Sequence, residues 1–250
     1  MAEEKRKSAA NKKIRRRNTV FAIFVIIILA IVCFFTPLFN ITSVTVVGNE
    51  VLSDEAIIKA SGIKKGDNLF FINKSKAKKG IDKLGYVESV DINRKFFARV
   101  EIDVTETPEA AYLTFSGNYV GININGKIVS VTKATKLKPT KAVITGYALK
   151  DAKVGALIEC KKGDKTELVK AILGALSDDG KLAGIKSIDV SDTDNVWFAF
   201  TSGTKVVLGD DTQLDYKLKC LDAVMASLGE IRGGKINVSD PANVIYEGGN

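Results

Sequence analysis

The chain has 250 residues, 46% of them hydrophobic, with 37 Lys and Arg, 29 Asp and Glu, three cysteines and no histidine. The missing histidine removes Ser–His and Cys–His nucleophilic chemistry and His-ligated metals, and three cysteines are too few for a disulfide scaffold or a structural zinc site. The formal charge of +8 is concentrated at one end, so it is no argument for nucleic acid, which calls for a basic face on the folded part.

Residues 1–18 carry eight Lys and Arg against Glu3 and Glu4, which leaves 29 basic and 27 acidic residues for the rest. Residues 20–39, VFAIFVIIILAIVCFFTPLF, contain no charge. Twenty helical residues rise about 30 Å, the thickness of a bilayer's hydrocarbon core. The adjoining KKIRRR keeps the N-terminus cytoplasmic by the positive-inside rule and sends the remainder outside. The run ends in Phe34, Phe35, Leu38 and Phe39 rather than in a small-x-small site, which predicts an uncleaved anchor instead of a signal peptide.

A strand is expected at Ile41–Val47, rich in β-branched residues and closed by Gly48–Asn49. Ser53 is placed to cap a short helix with Asp54 and Glu55 in its first turn and Gly62 at its end. Asn73 is placed to cap a second helix, in which Ala77, Ile81 and Leu84 recur at helical spacing. Two alternating strands follow, Tyr86–Arg94 and Arg99–Glu106, each with one wet and one buried face. The order is β-α-α-β-β, a small α+β domain whose helices cover the buried face of the sheet.

From Pro108 to Tyr246 the pattern is mostly strand, with two helices. Asp164–Glu167 has the form of a capping box ahead of Leu168, Ile172 and Leu176. Leu214, Leu218, Leu221, Met225 and Leu228 form an amphipathic stripe read as core. Ser75 and Lys78 match S-x-x-K, the nucleophile motif of penicillin-recognising enzymes, but no Lys-Thr-Gly partner follows. The lysines at 74, 76, 78 and 79 read as the wet face of a helix, and carboxylates are scattered. No catalytic residue, metal site or cofactor is expected. Whether Cys160 and Cys220 pair stays open at this stage.

Val44–Asn49, Gly66–Ile72, Tyr86–Arg94 and Val100–Glu106 together resemble a POTRA domain. Such a domain directly after a single N-terminal span resembles the bacterial division family FtsQ/DivIB. Val196–Phe200, Lys205–Gly209, Tyr216–Leu218 and Gly234–Val238 are similar to the second domain of that family. Three places depart from the family pattern: Phe97 stands where proline is usual, Asn123 where aspartate is usual, and the junction is shortened to Glu106-Thr107-Pro108. The expected division is a basic tail at 1–18, a transmembrane helix at 19–39, a POTRA domain at 40–107, a mostly β domain with two helices at 108–247 and a short tail at 248–250.

The resemblance implies a non-enzymatic, single-pass type II scaffold at the division septum. Its implied partners are FtsL-like and FtsB/DivIC-like single-span proteins, with no nucleic acid and no small-molecule substrate, and its implied role is control of septal peptidoglycan synthesis. A POTRA-type polypeptide-binding chaperone or transport component is the alternative. Partner capture in the family involves the end of the second domain, here Asn243, Val244, Ile245 and Tyr246, by addition of a strand to a sheet edge; an ordinary closing strand is the other reading. Phe96 and Phe97 are a second candidate contact in the POTRA turn, with inward packing of at least one ring as the alternative.

Overall fold

The computed structural model describes residues 16, 18–28, 32, 36–229 and 232–248. Residues 18–28 are helical, and their apolar side chains are exposed on all sides, among them Phe21, Phe24 and Ile26. Among the described residues no helix is long and apolar enough to cross a membrane; the expected span at 19–39 falls partly outside them.

The chain then enters a three-stranded sheet. β1 (Ser43–Val47), α1 (Asp54–Ser61), α2 (Lys74–Ile81), β2 (Val87–Lys95) and β3 (Arg99–Glu106) follow in that order. β3 is central, parallel to β1 and antiparallel to β2. The predicted caps form: the Ser53 hydroxyl accepts from the Ala56 N–H, Asn73 Oδ1 accepts from the Lys76 N–H, and Gly62 ends α1 at φ +68°. Val100, Ile102 and Val104 of β3 are buried in strict alternation and pack with Ile57, Ala77 and Ile81 of the helices. The helices approach so closely that a Cβ on Gly80 would stand 2.1 Å from the Ala60 carbonyl oxygen, so only glycine fits there. Glu106 closes the unit, its carboxylate accepting from the N–H groups of Glu50, Val51 and Leu52 at 2.6–3.0 Å.

The second unit is a nine-stranded sheet built from β4 (Ala111–Phe115), β5 (Asn118–Ile122), β6 (Ile128–Lys133), β7 (Ala142–Thr145), β8 (Ile185–Asp189), β9 (Val196–Phe200), β10 (Lys205–Gly209), β11 (Lys235–Asn237) and β12 (Ile245–Glu247). The spatial order is β12-β11-β10-β9-β8-β7-β4-β5-β6. β4·β7, β7·β8 and β10·β11 are parallel, and the other neighbours are antiparallel. Parallel neighbours need a crossover. The helices α3 (Thr166–Asp178) and α4 (Leu214–Leu228) supply two of them, between β7 and β8 and between β10 and β11. Leu168, Leu173 and Leu176 of α3 and Leu214, Leu218 and Leu221 of α4 are buried in one core with Phe198, Val206 and Ile236 of the sheet.

Two expectations are corrected here. The Asp164–Glu167 capping box does not form. The Lys165 ammonium is drawn onto the carbonyls of Val190 and Ser191 at 2.5 and 2.7 Å, Asp164 accepts from the Thr166 N–H, and Glu167 pairs with Lys170. The stripe on α4 is core only as far as Leu221; Met225 is half-buried and Leu228 exposed. Lys217, on that helix, is buried, its ammonium donating to the Asp210 carbonyl at 3.0 Å and to Asp210 Oδ1 at 2.6 Å. It thereby pins the helix to the turn after β10.

Candidate partner-binding edge and aromatic tip

β12 is made an edge by a tight return. Asp240 accepts from the Asn243 N–H at 3.0 Å across Pro241–Ala242, and its carboxylate accepts from the Ala242 N–H. Asp at the first and Pro at the second position favour this four-residue turn. The chain comes back antiparallel to β11 with Ile236 opposite Tyr246 and Asn237 opposite Ile245. A Lys235–Glu247 ion pair at 3.5 Å crosses the same two strands. Beyond this ladder, no backbone hydrogen bond to residues 245–247 is present among the described residues. At the other edge, Ile128 of β6 already exchanges backbone hydrogen bonds with Gly155 and Ala156.

The candidate segment 243–246 therefore divides. Asn243 closes the turn, Val244 packs against the core, and Ile245 and Tyr246 lie on the strand with exposures of 45% and 38%. Glu247 completes the strand, one residue beyond the expected segment. An exposed edge presents a row of N–H and C=O groups to an incoming strand, and the side chains of Ile245 and Tyr246 add apolar area beside it.

Phe96 and Phe97 form the tip of the β2–β3 hairpin on the other sheet, 88% and 84% exposed, so neither ring packs inward. The loop of Phe96, Phe97 and Ala98 holds Phe97 at φ +61° and Ala98 at φ +53°. Left-handed backbone costs an L-residue about 1–2 kcal/mol. Thr42 holds it there: its N–H donates to the Ala98 carbonyl at 2.9 Å and its hydroxyl to the Phe97 carbonyl at 3.1 Å.

A third constellation, invisible in the sequence, joins the two units. Glu109, half-buried between β3 and β4, accepts from the hydroxyls of Tyr86 at 2.8 Å, Tyr112 at 2.5 Å and Ser130. Burial raises the Glu109 carboxyl, but the bonds from Ser130, Tyr112 and Tyr86 outweigh it and the net shift is downward. Burial and the same carboxylate push Tyr112 up to about 12. Beside it, Lys127 donates to the Val87 carbonyl at 2.6 Å and Asn123 bonds Thr107 and Glu88. Asn123 Oδ1 accepts from the N–H groups of Asn125 and Lys127 and holds the loop.

Elsewhere, Ser75 and Lys78 lie on α2, and Lys78 is committed to Asp91 at 2.8 Å. Cys160 and Cys220 are free thiols. Among the described residues, no group of three His, Cys, Asp or Glu side chains is placed to hold a metal.

Comparison with known proteins agrees with the order of these elements. Residues 39–107 match the family model "POTRA domain, FtsQ-type", and residues 111–241 match "Cell division protein FtsQ/DivIB, C-terminal". The second match ends at Pro241, inside the turn into β12. The cell division protein DivIB of Clostridium tetani is 28% identical over 229 residues, covering 90% of this chain and 85% of the relative. That of Clostridium acetobutylicum is 29% identical over 223 residues, covering 88% of each. Among solved structures, the major extracytoplasmic domain of DivIB from Geobacillus stearothermophilus covers 50% of this chain and 95% of its own. It does so at 20% identity and a TM-score of 0.34, too loose a superposition to carry an argument.

Proposed function

The chain belongs to the FtsQ/DivIB family of bacterial cell-division proteins, and from that premise we propose that it is a bitopic membrane scaffold which captures partners along β12. Residues 19–39 anchor it, with the basic tail cytoplasmic and both sheets outside. What supports this topology is the charge-free run beside eight basic residues, and the helix at 18–28 with apolar side chains on every side.

The partners are FtsL-like and FtsB/DivIC-like single-span division proteins, and through them the scaffold controls septal peptidoglycan synthesis. The observation that carries the reading is the edge of β12, where residues 245–247 have no backbone partner beyond the β11 ladder among the described residues and two exposed apolar side chains stand beside it. A partner strand added there gains main-chain hydrogen bonds, with side chains at Ile245 and Glu247 selecting register. Because both molecules are held in one bilayer, their effective concentration is high and a short strand suffices.

The test is co-purification of the full chain with these partners. Ile245→Glu adds a charge on the pairing edge beside Glu247 and reduces recovered partner at least about tenfold, equivalent to about 1.4 kcal/mol. The variant still melts cooperatively, since Ile245 is 45% exposed. Undiminished capture by a folded variant rules out β12 as the site.

A further inference from the structure

The first unit has an apolar end that partner capture at β12 does not use. β1 and β3 run parallel, so both begin at one end of the sheet, with Ser43 beside Arg99. The β2–β3 tip is therefore at the end where the chain arrives from residues 20–39, and the exit toward the second sheet is at the other. Three apolar segments converge at the arriving end. The entering segment places Phe39 edge-on to Phe70, with ring centroids 5.0 Å apart, and its carbonyl accepts from the Leu69 N–H at 2.9 Å. The turn at 69–71 is tied to the hairpin by Arg94, which donates to the carbonyls of Leu69 and Phe70. Thr42 ties the tip itself.

Leu38 is 77%, Phe71 61%, Phe96 88% and Phe97 84% exposed. Around them stand the exposed cations Lys64, Lys65, Arg94, Lys95 and Arg99. Their acidic neighbours are Asp67, which caps the Lys64 N–H, and Glu101, paired with Lys95. Aromatic residues rimmed by Lys and Arg are what a membrane–water interface with anionic headgroups accepts.

We infer that this end of the first unit is a second membrane contact: Leu38, Phe71, Phe96 and Phe97 enter the interfacial layer of the outer leaflet, and the five cations meet anionic headgroups. The inference rests on the reading of residues 19–39 as a membrane anchor. It goes beyond that reading in fixing the tilt of the unit, because a single tether leaves a domain free to swing, whereas a tether plus an inserted tip does not. The left-handed backbone at Phe97 fits this role, since it projects two aromatic side chains from a turn that glycine would fill with less strain.

The test places one indole at the tip. The full chain carrying Phe97→Trp in a Trp197→Phe background is reconstituted in vesicles of phosphatidylglycerol and phosphatidylcholine, with and without brominated acyl chains. Tyr216→Trp in the same background reports from α4 of the second sheet. The expected result is about a twofold loss of emission from position 97 in brominated vesicles and none from position 216, as for an aromatic residue seated at the interface. Alkaline carbonate extraction reads the anchor separately. A carbonate-resistant chain with unquenched emission at position 97 overturns the inference and leaves the anchor standing. A carbonate-extractable chain overturns the anchor, and the inference falls with it. If Phe97→Trp does not melt cooperatively, Phe96→Trp takes its place under the same criteria.

Discussion

The hairpin tip of the first sheet and the last strand of the second are both exposed and apolar, yet they offer opposite chemistry. At the tip the Phe97 and Ala98 carbonyls are held by Thr42, and the rings of Phe96 and Phe97 face outward. At β12 the side chains are few and the backbone is open on one edge. A surface of projecting side chains suits a partner without fixed directionality, such as lipid. A surface of open backbone demands a strand in register. Apolar exposure alone would have placed the two in one class; a hairpin tip of projecting rings against a strand edge separates them.

The largest expected effect concerns the link between the two ends. Glu109→Ala removes the acceptor for three hydroxyls and leaves Tyr86 and Tyr112 without their carboxylate, at a cost of about 3 kcal/mol in thermal or denaturant unfolding. If the junction sets how the two sheets are disposed, the variant also lowers partner capture without touching β12. Unchanged stability would show that the junction is not what couples the units.

Phe97→Gly divides the tip from the rest of the fold. It relieves left-handed strain and raises stability by about 1 kcal/mol in denaturant unfolding. A Phe96→Trp reporter in the same chain then loses part of its quenching by brominated lipid, while partner capture at β12 is unchanged. A fall in capture equal to the fall in lipid contact would break the distinction between the ends.

The smallest effect lies in the turn after β10. The Lys217 ammonium, then the Thr212 hydroxyl, hold the Asp210 carboxyl at about 2 against its ordinary 3.8. A carboxyl depressed in the folded state contributes stability that is present above the unfolded value and is lost as pH falls through the folded one. Asp210→Asn therefore melts lower than the unsubstituted chain at pH 7, by no more than about 1 kcal/mol once solvent screening is allowed for. The gap closes between about pH 4 and pH 2. A gap that persisted at pH 2 would mean the effect is steric.

Much of the first sheet was legible because its signals are local. Ser53 and Asn73 cap helices within three residues of themselves, and the alternation at 100, 102 and 104 shows directly which face is inside. The second sheet was legible as elements but not as an order. The parallel placement of β11 beside β10 depends on α4 crossing over the sheet, and the failed capping box depends on Lys165 finding carbonyls 25 and 26 residues away. The junction was unreadable for the same reason, since Glu109 gathers hydroxyls from 23 residues before it and 21 after it. The Phe96–Phe97 turn hid its geometry because no glycine or asparagine marks the left-handed positions. At the candidate edge Ile245 and Tyr246 lie on a strand. The sequence could not foresee that Asp240 takes Asn243 into a turn and that Val244 is drawn inward.

If the second sheet captures its partner through the backbone of β12, the partner shields the amides of that strand. Amide hydrogen exchange on the full chain, with and without the FtsB/DivIC-like partner, tests it most directly. Added protection is expected at residues 245–247, with 95–99 of the hairpin tip unchanged by the partner. Protection at 128–133 on the opposite edge, with 245–247 still exchanging freely, would contradict it.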